Sequence, residues 1–254
     1  MIREFKKQAK AVLFKNYKKF LPAILVFMLM NFVLTFIELN IRELNFIDNF
    51  HQDMLIAVIY LIVLFVGVPV AEVLIYKTCI NVLSPEIQNK ENEFFRFENI
   101  ATIVAINTIP SFIQLLHNGF DSGAFYVSME LNPLISFSIS ILGLIATFKF
   151  FIANYHFAKE QSSAADAIKF SFSKTKKKFI KIVILWLSFI LWSLSISIIW
   201  LILSNISARV GIPSTYFILL SPFGFGINFF FIPYSYLTYT LFIEKTIVSE
   251  DSNI

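Results

Sequence analysis

One cysteine, Cys79, is present in 254 residues. An internal disulfide and a thiolate metal cluster are therefore excluded, and Cys79 reads as a small hydrophobe in a helix. Histidine is nearly as scarce: His51, His117 and His156 stand apart, with no metal-ligand spacing between them. Only seven glycines occur, and none falls in a phosphate-cradling loop. Gly119 and Gly123 make a Gly-x-x-x-Gly match in a loop rather than on a packing helix. No Gly-x-Ser-x-Gly nucleophile motif exists. No enzyme activity, cofactor or metal is expected from this inventory. Charge is also low, at 15% of residues, against about 25% in a soluble domain.

What fills the chain instead is apolar. Hydrophobic residues make up 57%, and the mean hydropathy is +0.73. A single soluble core of this size cannot hide so much apolar surface. The uncharged runs are long enough to cross a bilayer, which takes about 20 helical residues. They lack the strict alternation of barrel strands, so the expected fold class is an all-α integral membrane protein. Six spans are read at about Phe20–Phe36, Met54–Tyr76, Ile100–Leu116, Pro133–Tyr155, Phe179–Leu203 and within Tyr216–Phe242. The third is the weakest, interrupted by Thr102, Asn107, Thr108 and Pro110. Two basic amphipathic segments, 1–19 and about 163–178, are expected to lie at the membrane surface. In the first, Ile2, Phe5, Ala9 and Val12 repeat at helical spacing; Ser162 or Ser163 could cap the second. Residues 20–242 read as a single transmembrane bundle, and 243–254 as a short cytoplasmic tail.

Orientation follows the lysines and arginines. With six spans, eighteen fall on one side and two, Arg42 and Arg209, on the other; Lys149 lies within a span. This bias puts both termini in the cytoplasm of a multi-pass cell-membrane protein. A re-entrant pair of spans 3 and 4 would leave the bias unchanged. The expected partners are the lipid bilayer, anionic lipid headgroups at the cytoplasmic face, and a membrane protein or transporter complex. Nucleic acid is not expected, because the basic stretches abut the membrane. Thirty-one phenylalanines, with much Ile, Lys and Asn, point to an AT-rich, low-GC bacterial coding sequence.

Lys15–Leu21 resembles Lys174–Ile180 at a register of 159, and each opens a span. The second span after each copy carries Val68-Pro69 or Ile232-Pro233. A basic helix plus two spans would then occur twice, as a parallel internal repeat. Two charges interrupt apolar runs, Glu72 and Lys149. They are open to three readings: snorkelling to the inner interface, a pair that locks helices, or a proton- or substrate-linked role. Ser136, Ser140, Gly143 and Thr147 share one face of span 4, and Ser193 and Ser197 one face of span 5. Such small and hydroxyl residues let helices approach closely in lipid. Asn228 is a further candidate, for a bond between helices or a ligand contact.

Ala167-Ile168-x-x-Ser171, Leu187-Ser188-Phe189-Ile190-x-Trp192, Pro233-Tyr234 and Phe242, with Ile2-Arg3-Glu4 at the start, carry a family resemblance. The chain resembles the bacterial polytopic membrane family called domain of unknown function 975. It departs from that pattern at Leu191, where the family has Gly, in the Lys-rich stretch before span 5, and at Lys15-Asn16-Tyr17-Lys18. The resemblance implies a membrane bundle and supplies no catalytic residues. The expected function is that of a non-enzymatic envelope, export-accessory or immunity-type factor working through partner or lipid contacts. The alternative is a small transporter or the membrane subunit of one.

Overall fold

The computed structural model describes residues 1–40, 50–85, 96–121, 131–210 and 227–248. Among them the chain is helical, with no strand. The helices are α1 (Ile2–Asn40), α2 (Phe50–Ile62), α3 (Val68–Leu83), α4 (Phe97–Asp121), α5 (Leu131–Phe150), α6 (Ala153–Glu160), α7 (Ala164–Val210) and α8 (Ile232–Phe242). Four of the described helical stretches are long and apolar enough to cross a membrane: Ile2–Leu34, Met54–Leu83, Phe97–Asn118 and Pro133–Glu160. These contain the second, third and fourth expected apolar runs, and the first to within two residues of its end. The chain divides into two compact units, one of residues 1–24 with 178–254 and one of residues 25–177.

Several helices run on where a loop or tail was expected. The α4 helix continues to Asp121, α7 to Val210, and helical backbone follows α8 to Val248. Hydropathy marks where an apolar run stops, whereas a helix stops only where its backbone bonds stop. The basic segment after residue 163 and the fifth apolar run form one 47-residue helix, α7.

Residues Val63–Gly67 and Ile227–Phe231 each form a widened, π-helical turn. Each turn is followed by a helix with proline at its second position, Pro69 or Pro233. Proline has no N–H to give the carbonyl four residues back, and its ring crowds that carbonyl. Widening the turn relieves the clash and leaves carbonyl oxygens for other donors. In the first of these turns, a Cβ on Gly67 would stand 2.7 Å from the Met30 sulfur, so the glycine admits the α1 side chain.

In the unit of residues 1–24 and 178–254, α1 is bent at Asn16 (φ −118°, ψ 16°). The Asn16 side chain donates to the Val12 carbonyl at 3.1 Å. The bend precedes Pro22 by six residues, so the proline sits inside the second segment of α1 rather than at its first turn. The apolar stripe of the first segment is Phe5, Ala9 and Leu13, all buried. Phe5 meets Phe242 edge to face at 6.3 Å, Tyr17 stacks on Phe230 at 5.4 Å, and Lys245 donates to Gln8 at 2.9 Å. Lys6 donates to the Ser188 carbonyl and lies 4.0 Å above the Phe189 ring. Of the stripe read from the sequence, Phe5 and Ala9 are thus covered by protein, whereas Ile2 and Val12 are half-buried. Arg3, Lys7, Lys10, Lys15, Lys18 and Lys19 remain exposed.

In the unit of residues 25–177, α4 packs against α3, α5, α6 and the first widened turn. Leu34, Ile37, Tyr60, Val63 and Leu64 form a buried cluster, with Met30 and Leu115 against it. Between α6 and α7 the chain turns at Gln161, which is left-handed (φ 50°) and donates its N–H to Phe157 O at 2.8 Å. Ser163 caps α7: its hydroxyl accepts from Asp166 N–H at 3.2 Å and donates to the Asp166 carboxylate at 2.7 Å.

Candidate functional site

Helix α4 carries Asn107, Ser111 and Asn118, which recur at helical spacing and so share a face. Asn107 and Asn154 are both buried, at 7% and 6% exposure, a depth at which unpaired amides are costly. They bond reciprocally: Asn107 Nδ2 donates to Asn154 Oδ1 at 2.9 Å, and Asn154 Nδ2 to Asn107 Oδ1 at 3.0 Å. The second hydrogen of Asn107 goes to the Ile103 carbonyl at 2.9 Å, and that of Asn154 to Glu72 Oε2 at 3.3 Å. All four amide hydrogens therefore have acceptors. The arrangement also fixes which way the amides point. Ile103 O can only accept, so Asn107 must turn its nitrogen there. The reciprocal pairing then turns the Asn154 nitrogen toward Glu72. A backbone carbonyl on α4 thus decides that a carboxylate on α3 receives an N–H from α6.

Farther along α4, the Ser111 hydroxyl donates to the Leu64 carbonyl at 3.3 Å, inside the first widened turn. Asn118 Nδ2 donates to the Tyr60 hydroxyl at 3.1 Å. From Asn107 to Asn118 is about 16 Å at 1.5 Å per residue, roughly half the hydrocarbon thickness. A polar seam thus follows one face of a helix long and apolar enough to cross a membrane.

Lys149 stands at the end of α5, one turn before Asn154, with a break in the helix between them. After Phe150 the chain leaves the helix for two residues and resumes at Ala153. The buried Ser171 hydroxyl bridges the gap, donating to Lys149 O at 2.6 Å and accepting from Ile152 N–H at 3.2 Å. The Lys149 ammonium lies 5.5 Å from the Phe172 ring centroid. No ion pair joins Glu72 to Lys149 among the described residues; one faces Asn154, the other an aromatic ring.

The buried positions of α5 are Ile139, Ala146, Phe148 and Phe150, and a Cβ on Gly143 would lie 3.4 Å from Ile113. Ser140 and Thr147 are exposed within this unit, and Ser136 is half-buried. Ser140 donates to Ser136 O at 2.8 Å and Thr147 to Gly143 O at 2.9 Å. Of that expected packing face, Gly143 meets α4 at Ile113. The side chains of Ser193, Ser197 and Asn228 lie outside the described residues.

Sequence reading placed Glu72 in a span but did not single out Asn154, and it treated Asn107 only as an interruption. The available signal was an asparagine inside each of two apolar runs, where an amide needs a partner. Chemically, the seam can lock α3, α4 and α6 together and hold an N–H donor on a carboxylate. Compared with family models, curated proteins and solved structures, the chain matches none.

Proposed function

We propose that this chain is a six-span protein of the bacterial cell membrane that acts without catalysis, as an envelope, export-accessory or immunity-type factor. It would work through anionic lipid and partner contacts at its cytoplasmic face. The observation that carries this reading is the first segment of α1. Its apolar stripe is buried against protein, and its basic face is left exposed. A basic surface held in place beside the membrane attracts anionic headgroups by about 1 kcal/mol per Lys or Arg. The charge bias supports six spans and cytoplasmic termini, and the motifs around Ser171 and Phe189 support membership in the family of domain of unknown function 975. The widened turns before Pro69 and Pro233 support a parallel repeat of a basic helix and two spans. Topology reporters are expected to read outside near residues 45, 125 and 208, and inside near 90, 165 and 250. A cytoplasmic reading at 125 would reduce the number of spans.

The second reading, a small transporter or the membrane subunit of one, draws on Glu72. Intramembrane carboxylates mark ion and proton paths, and this one ends a polar seam beside interrupted helices. Proteoliposomes enclosing a pH-sensitive dye separate the two. The proposed factor leaks protons and alkali cations no faster than empty liposomes. A leak abolished by Glu72→Gln would establish the transporter instead.

A further inference from the structure

Phe5, Ala9 and Leu13 of the first α1 segment are buried, and Phe5 lies against Phe242. A membrane contact of this segment therefore has to use another face. Arg3, Lys7, Lys10 and Phe14 recur at spacings of four, three and four, all before the bend at Asn16. At about 100° per residue they fall within roughly 60° of arc, turned away from the buried stripe. All four are exposed. Phe14, between the cations, is 62% exposed.

The charges on this face are open. Among the described residues, no carboxylate pairs with Arg3, Lys7 or Lys10. Glu4, the one acid before the bend, pairs with the Met1 amino group at 3.3 Å. Cations alone suit any polyanion, and the ring narrows the choice. A phenylalanine among basic residues has two uses: entering the boundary between headgroups and acyl chains, or stacking on an unpaired base. Position decides between them. The segment begins the membrane-length stretch Ile2–Leu34. Phe14 precedes Phe20, where the first apolar run starts, by six residues, about 9 Å of helix. That is about one Debye length at physiological salt. At this distance an anionic leaflet repels a nucleic acid and attracts the cations.

We propose that this face is a membrane anchor. Phe14 enters the boundary between headgroups and acyl chains of an anionic leaflet, and Arg3, Lys7 and Lys10 hold lipid phosphates around it, their stems flanking the ring. The bend at Asn16 lets the segment lie along the leaflet while the rest of α1 crosses it. The proposal rests on the lipid-contact reading above, names its site and adds an apolar contact to the charge attraction.

The experiment uses the full chain with Ala11→Cys, an exposed position three residues before Phe14, carrying a nitroxide. Cys79 is fully buried, and any label on the chain without Ala11→Cys is subtracted. In nanodiscs of phosphatidylcholine with or without phosphatidylglycerol, collisions of the label with oxygen, which collects in lipid, are compared with those of a water-soluble nickel chelate. Native mass spectrometry counts retained phosphatidylglycerol. Oxygen collisions are expected to exceed nickel collisions with phosphatidylglycerol present, and Phe14→Ser should reverse the order. Lys7→Gln should shift the immersed-to-free equilibrium roughly fivefold towards water, and Arg3→Gln/Lys7→Gln/Lys10→Gln roughly a hundredfold. Lys15→Gln, which removes a charge from another side of the segment, should change it little. Immersion unaffected by Phe14→Ser, or equal shifts from Lys7→Gln and Lys15→Gln, would overturn the anchor. A label in water with phosphatidylglycerol still retained would overturn it and leave the lipid-contact reading standing. A label in water with none retained would overturn both. A label that an oligonucleotide, but not phosphatidylglycerol, shields from nickel would overturn it in favour of nucleic acid.

Discussion

Asn154→Leu is expected to lower the stability of the unit of residues 25–177 by on the order of 3 kcal/mol, since buried polar groups without partners each cost about 1–3 kcal/mol. Leucine has the same number of side-chain heavy atoms and the same branching as asparagine, so no cavity is left behind. What is lost is polar: Asn107 loses a donor and an acceptor, and Glu72 loses the N–H at 3.3 Å. Asn107→Leu leaves Asn154 without its reciprocal partner but still bonded to Glu72, so it should cost less than Asn154→Leu. The double variant is the sharper test. With both amides gone, no orphan amide remains between α4 and α6, and replacing both partners by apolar groups can be nearly neutral. The double is therefore expected to be no less stable than Asn154→Leu alone, giving a favourable coupling of about 1–2 kcal/mol for a contacting pair. The buried Cys79 supplies the readout, through a thiol-reactive dye followed on heating in detergent. Additive losses would mean that the amides act separately.

How much of this was open to sequence reading divides along physical lines. Helix class and the positions of the first four apolar runs were legible because both are local: hydropathy over about 20 residues marks them. Met54 and Pro133 were read as span starts, and each begins a membrane-length helical stretch. The Ser163 cap was legible for the same reason, since its partner lies three residues away. The ends of α4 and α7 were not, because polar residues continue a helix as readily as they leave it. The widened turn before Pro69 had a signal in the proline itself, which interrupts the second apolar run. The Asn107–Asn154 pair had none in register, being 47 residues apart. The apolar stripe of the first segment shows the same limit from the other side. Its helical period is local, but whether Phe5 meets lipid or Phe242 depends on residues more than two hundred positions away.

The break after Phe150 is the feature least visible in sequence, since neither proline nor glycine marks it. Its support comes from α7, and Ser171→Ala tests that support. The hydroxyl donates to Lys149 O and accepts from Ile152 N–H, with no exposure to solvent. Alanine fits the space, so the substitution creates almost no cavity. It leaves a carbonyl and an N–H without that hydroxyl, at about 1–3 kcal/mol for each group. Ser171→Ala is therefore expected to destabilise the chain by several kcal/mol, more than a buried serine of ordinary bonding. Ser171→Cys provides the control, because a thiol is a weak donor and acceptor of similar shape; it should recover only a small part. Ser173→Ala, exposed two residues on and bonded only to Phe170 O, should be near neutral. Hydrogen exchange sharpens the result: the Ile152 and Ala153 amides should lose protection in Ser171→Ala while those in the middle of α5 keep theirs. Loss spread evenly over α5 would mean that the break is held by packing rather than by this hydroxyl. If the break serves to orient the chain on either side of it, Ser171→Ala should also loosen the grip of Asn154 on Glu72. Its effect and that of Asn154→Leu would then be less than additive.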